Sequence, residues 1–287
     1  MKVSTTTIAL AAAVGVAAHP SGFAHRNIHR HIEKRLDFVM NTKPEAPVDI
    51  KAAAVPSPTT AAPPPPATTK ATPPATSNGS GSGGKKQFCD GVSKRATAAD
   101  IAFKGNVGAP GKYGCNLMMV DNAADYDYTA TFENNSGVDQ KCVAWLKIGP
   151  NDGINGFFSG NEALQFDLPA GGKKVMAAEA NSQGGATCGA GKVPTSNIGL
   201  FTGTWLEFDF ANKGNKGYSG ADASCLTAAD TNNPIPALKV CGGPDNVCST
   251  IFAGGEGKNA YTKGTNALDG IGLNLNPGPV ALKVTVG

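Results

Sequence analysis

The chain predicts an all-β fold, a β-sandwich braced by disulfides over residues 88–287 and preceded by a Pro/Thr/Ala-rich linker. Three observations predict it. Short runs rich in β-branched and aromatic residues recur between turn clusters. No long segment carries an apolar period of 3.6 residues. All seven cysteines fall at or after residue 89, a disulfide framework for a chain leaving the cell.

The N-terminus predicts export. Lys2 precedes the apolar run "IALAAAVGVAA", and Val16-Ala17-Ala18 has the small-residue pattern of a cleavage site, so residues 1–18 read as a signal peptide cut after Ala18. The run is too short to span a bilayer, and no membrane segment is expected elsewhere. Residues 19–35 hold all four histidines and end in Lys34-Arg35, a dibasic processing site that makes them a basic pro-segment cut after Arg35. Both cleavages together remove five basic residues and one acidic residue, taking the formal charge from +3 to −1. A nucleic-acid partner therefore has no support.

Residues 36–87 read as a disordered linker. Its stretch 43–86 holds ten prolines with many Ala and Thr and a Gly/Ser end. Such a composition buries too little apolar surface to offset chain entropy, and in an exported protein it suits a glycosylated stalk. Asn78 in "NGS" and Asn134 in "NNS" are N-glycosylation acceptors by pattern. Residues 88–287 suffice for one domain with its own core, expected to be monomeric.

Within that domain the expected strands are 128–134, 142–148, 163–168, 173–180, 204–210, 237–242, 247–253 and 280–286. "GPNDGING", "PAGGKK" and "NPGP" supply turns, and "ATAADIAF" is a short helix-like piece. Cys241 and Cys248 bracket "GGPDNV" and are expected to pair, because that loop can turn back on itself. Cys89, Cys115, Cys142, Cys188 and Cys225 stay unassigned, and the odd number leaves one thiol over. A cut after Lys94-Arg95 would remove Cys89 and leave six.

Much chemistry is excluded. With no histidine after His31, the domain has no Ser-His-Asp or Cys-His site and no histidine brace for copper. No CxxC marks a zinc site, so no metal and no cofactor are expected. "GGATCGAGKV" mimics a phosphate loop, but Ala186 and Val193 stand where a glycine and a hydroxyl are required.

Carboxylates remain. In "TWLEFDF" the period of two sends Leu206, Phe208 and Phe210 to the core, leaving Trp205, Glu207 and Asp209 on the other face. The two acidic Cα atoms would stand about 6.5–7 Å apart, compatible with the spacing of a glycosidase pair. A neighbouring Trp could stack on a sugar. An ordinary solvated sheet face explains the same alternation.

The domain resembles the secreted fungal allergen family typified by the Aspergillus allergen four. "FKGNVGAPGKYGCNLMMV", "WLKIGPNDG", "NEALQFDLPAGGKKVMAAEANSQGG", "GYSGADAS" and "KVCGGPDNVCSTI" carry the resemblance, which runs from Lys104 onward. It implies a secreted protein recognised by IgE in sensitised hosts. "WLEFDF…GADASCLTAADTNNPIP" and "YTATFENNSG" are more distantly similar to thaumatin-like proteins. That similarity implies a thaumatin-like β-sandwich with an acidic cleft for β-1,3-glucan. Glu207 and Asp222 match two of its cleft acids. Thr227 stands where a third acid belongs, with Asp230 nearby, and the sole arginine of the domain, Arg95, does not match the cleft arginine. With two cleft groups unmatched and a stalk-like linker, the expected function is that of a secreted or wall-associated, non-catalytic protein that binds β-glucan through the matched Glu207 and Asp222 and their strand neighbours Trp205 and Asp209. The alternative is a weak endo-β-1,3-glucanase with Glu207 as general acid and Asp222 as its partner.

Overall fold

The computed structural model describes residues 85–91, 105–268 and 270–287. The expected signal peptide, pro-segment, linker up to residue 84, Asn78, "ATAADIAF" and Lys94-Arg95 lie outside the described residues.

Fifteen strands form the described domain. A small hairpin, β1 (Gly108–Ala109) and β2 (Lys112–Tyr113), leads into β3 (Leu117–Val120), β4 (Tyr128–Asn134) and β5 (Gln140–Leu146). Then follow β6 (Leu164–Leu168), β7 (Lys173–Ala178), β8 (Ser182–Ala190), β9 (Trp205–Asn212) and β10 (Tyr218–Ser224). A short helix, α1 (Leu226–Asp230), precedes β11 (Leu238–Gly242), β12 (Val247–Ile251), β13 (Gly257–Lys258), β14 (Leu273–Leu275) and β15 (Val280–Val286). Six strands pair in the order β14-β10-β9-β8-β5-β6, and seven in the order β13-β12-β11-β15-β4-β7-β3. Every pairing is antiparallel except β4 with β15.

The core lies between the two large sheets. Phe132, Met176, Val240, Ile251 and Val284 from one meet Leu146, Leu206, Phe208 and Phe210 from the other, all at most 1% exposed. Alternation explains the layer: β15 reads buried at Val280, Leu282, Val284 and Val286 and exposed at Ala281 and Lys283. All eight expected strands are present, with ends shifted by at most two residues.

Other strands had no β-like signature. β8, "SQGGATCGA", is rich in small residues because large neighbours occupy the space beside it. A Cβ on Gly185 would meet the Trp145 ring at 2.7 Å, and one on Gly184 would meet the Trp145 carbonyl at 2.0 Å. The segment that resembles a phosphate loop is thus a central strand buried on both faces.

Three disulfides brace the sheets: Cys89–Cys115, Cys142–Cys188 and the expected Cys241–Cys248. The latter two join residues directly opposite on neighbouring strands. The expectation that a cut after Arg95 would discard Cys89 is corrected, because its bond to Cys115 would keep the fragment attached. Cys225 is the odd thiol, fully buried where β10 enters α1, with its Sγ 3.8 Å from the Gly255 carbonyl.

Burial pushes the Cys225 thiol up from 9.0 to about 11. Between those values the unfolded chain releases its proton first, so stability falls as pH rises. The loss should reach about 2–3 kcal/mol by pH 11 and shrink by that amount in Cys225→Ala, read from urea titrations at pH 8 and pH 11.

Candidate functional site

The outward face of the six-stranded sheet carries the predicted carboxylates. Glu207 on β9 lies directly across from Asp222 on β10, and across from Gly185 on β8. Directly opposed residues have Cβ atoms about 4.5–5.5 Å apart, so these two acids are closer neighbours than Glu207 and Asp209 along one strand. Asp209 lies across from Gly220 and Gln183, and Trp205 across from Ser224 and Thr187.

A β-bulge creates this pairing. Phe210 and Ala211 on β9 oppose the single residue Ser219 on β10, where the register shifts between Tyr218 and Gly220. Ala211 adopts φ 48, and its N–H donates to the Ser219 hydroxyl. Without the extra residue, Asp222 would oppose Phe208 and face the hydrophobic core. One inserted residue therefore sets Asp222 beside Glu207.

Sequence periodicity assigned the faces of β9 as the structure has them, but the outward face is not wet. Glu207 and Asp222 are each 1% exposed, Asp209 is 6% and Trp205 is 2%. Trp205 belongs to a second apolar cluster with Val143, Trp145, Phe157, Leu200 and Phe201. Its ring lies 4.9 Å from that of Trp145, edge-on, and 5.9 Å from that of Phe157. Its indole Nε1 is buried without a hydrogen-bond partner among the described residues. The expected stacking of Trp205 on a sugar is corrected, because Trp145 and Phe157 already pack against it. The solvated-face reading of Glu207, Asp209 and Asp222 fails on the same burial.

Three polar neighbours escaped the sequence reading. Lys147, 4% exposed, donates its ammonium to the Gln183 side chain, and its N–H donates to the Gln183 carbonyl. Burial holds the Lys147 ammonium below the ordinary lysine range, with the Asp209 charge opposing that shift. Asn212 Nδ2 donates to Asp209 Oδ2 at 2.6 Å. The signal was present: Lys147 shares the strand parity of Val143 and Trp145 in "CVAWLK". The arrangement is a buried polar row of acids, amide and ammonium across neighbouring strands, bordered by tryptophan. Asp209 and Lys147 in this row have partners inside the molecule, Asn212 and Gln183, as buried polar groups require.

Thr227, in the place of the third cleft acid, is buried in α1, and Asp230 is exposed at the end of the same helix. Arg95 lies outside the described residues. Asn134 departs from its expected role. It is 1% exposed, and its Nδ2 donates to the Val138 and Leu168 carbonyls at 2.8 and 2.9 Å. A glycan on that nitrogen has no room in the folded domain, so the glycosylation expected there is corrected.

Comparison with known proteins places these features. Residues 115–286 match the Allergen Asp f 4-like domain family. Allergen Asp f 4 of Aspergillus fumigatus is 36% identical over 207 residues, a match covering 70% of this chain and 63% of that protein. Among solved structures, the protein elicitor MoHrip2 from Magnaporthe oryzae has TM-score 0.35 and 12% identity, over 55% of this chain and 98% of the other. The thaumatin-like xylanase inhibitor TLXI has TM-score 0.31 and 9% identity, over 55% and 97% of the respective chains.

Proposed function

The chain belongs to the Allergen Asp f 4-like domain family, and from that premise we propose an extracellular, wall-associated protein that works by binding rather than by catalysis. The burial of Glu207 and Asp222 carries this reading. A general acid must reach the glycosidic oxygen of its substrate, and these carboxylates lie inside the molecule. Three disulfides and the export-like N-terminus support an oxidising destination. Its partner is wall polysaccharide, with β-1,3-glucan the neutral candidate, met by the outer surface. Host IgE would likewise meet the exterior.

The glucanase reading is favoured by one observation, the direct opposition of Glu207 and Asp222. A single experiment separates the two. Purified protein should release no reducing sugar from laminarin, and retention on insoluble β-1,3-glucan should be the same for wild type and Glu207→Gln. Sugar release abolished by Glu207→Gln would establish the hydrolase instead. Absence of any retention on wall polysaccharide would overturn the binding reading.

A further inference from the structure

The far side of the molecule carries a second pattern. On the seven-stranded sheet, Lys258, Thr250, Lys239, Thr285, Glu133 and Lys173 stand directly across from one another on β13, β12, β11, β15, β4 and β7. They form one unbroken row across six strands, about 24 Å long at the usual strand spacing. Lys283 lies two residues from Thr285 on the same face, beside Thr131. Ion pairs confirm the shared face: Glu133 meets Lys173 at 2.5 Å and Lys283 at 3.2 Å.

The row is basic and open. With Lys283 it has four ammonium groups, all exposed, against the Glu133 carboxylate and that of exposed Glu256, two residues from Lys258. Lys239 and Lys258 form no ion pair among the described residues. Hydroxyls of half-exposed Thr250, Thr285 and Thr131 lie between the charges. None of the exposed large apolar side chains, Val138, Val247, Phe252 and Leu268, belongs to the row. One ring, Phe252, stands two residues beyond Thr250, too little apolar surface for a lipid wedge or a base-stacking platform, and the row has no arginine.

We propose that this lysine–threonine face binds an acidic polysaccharide, a uronate-bearing chain laid across the strands. Lysines take its carboxylates, and threonines exchange hydrogen bonds with its hydroxyls. The inference rests on the wall-binding reading and adds the site and the charge of the ligand. Affinity should fall steeply with salt, as it does for exposed charges.

The test uses the full chain on immobilised polygalacturonate at low ionic strength, with insoluble β-1,3-glucan in parallel. The triple variant Lys239→Gln, Lys258→Gln, Lys283→Gln should bind at least about tenfold more weakly. A control with the same net charge, Lys141→Gln, Lys192→Gln, Lys213→Gln, should match wild type, and circular dichroism of both variants should be native. No wild-type binding to polygalacturonate would overturn the proposal, as would equal losses in both variants. Tighter binding to phosphatidylserine vesicles or duplex DNA than to polygalacturonate would also overturn it. Retention on neutral glucan alone would remove this site and leave wall binding standing, whereas retention on neither polymer would remove both.

Discussion

Trp205→Ala lowers the free energy of unfolding by about 3–5 kcal/mol and leaves polysaccharide retention unchanged. The indole fills the centre of the second apolar cluster, and its removal strips packing from Trp145 and Phe157 together. Aromatic pairs contribute beyond their buried area, about 0.5–1.5 kcal/mol each, which favours the upper part of the range. Urea titration followed by far-ultraviolet circular dichroism measures the first quantity, and polysaccharide pull-down the second. A variant of native stability that lost retention would show that the ring contacts sugar after all.

Replacing both members of Cys142–Cys188 by alanine should cost about 4 kcal/mol, because the bond closes a long loop, 46 residues in sequence. The same change at Cys241–Cys248, seven residues apart, should cost about 2 kcal/mol. The chain-entropy account thus predicts a ranking as well as two values. Both are read as shifts in urea midpoint at unchanged slope. Equal losses from the two bonds would show that strain or packing, rather than loop closure, sets the contribution. Cys142 and Cys188 also sit in the main core, so their alanines leave small voids that deepen the first loss.

The residues made some of this legible and concealed the rest for physical reasons. Alternation in "TWLEFDF" assigns both faces of β9, because side-chain direction in a strand is a local property. What lies over a face is not local. Phe157 comes from a loop well before β9 in the chain, where "INGFF" looks like a turn with two stray aromatics, and Leu200 and Phe201 fold back over the sheet from the loop just ahead of Trp205. β8 was hidden because its glycines answer to Trp145 on a neighbouring strand rather than to any strand propensity. The opposition of Glu207 and Asp222 depends on one bulge, which shifts the register and leaves no periodic trace. Cys241–Cys248 was foreseeable from a short loop, whereas Cys142–Cys188 needed the tertiary pairing of β5 with β8.

β15 has a consequence for how the protein is made. It occupies the middle of the seven-stranded sheet, between β11 and β4, yet residues 280–286 are the last of the described strands to leave the ribosome. Until they arrive, β4 and β11 present unsatisfied edges to whatever else is near, so the incomplete chain is prone to pair with its neighbours and aggregate. Stop codons a few residues upstream of Val280 should therefore yield aggregates rather than a trimmed but folded product.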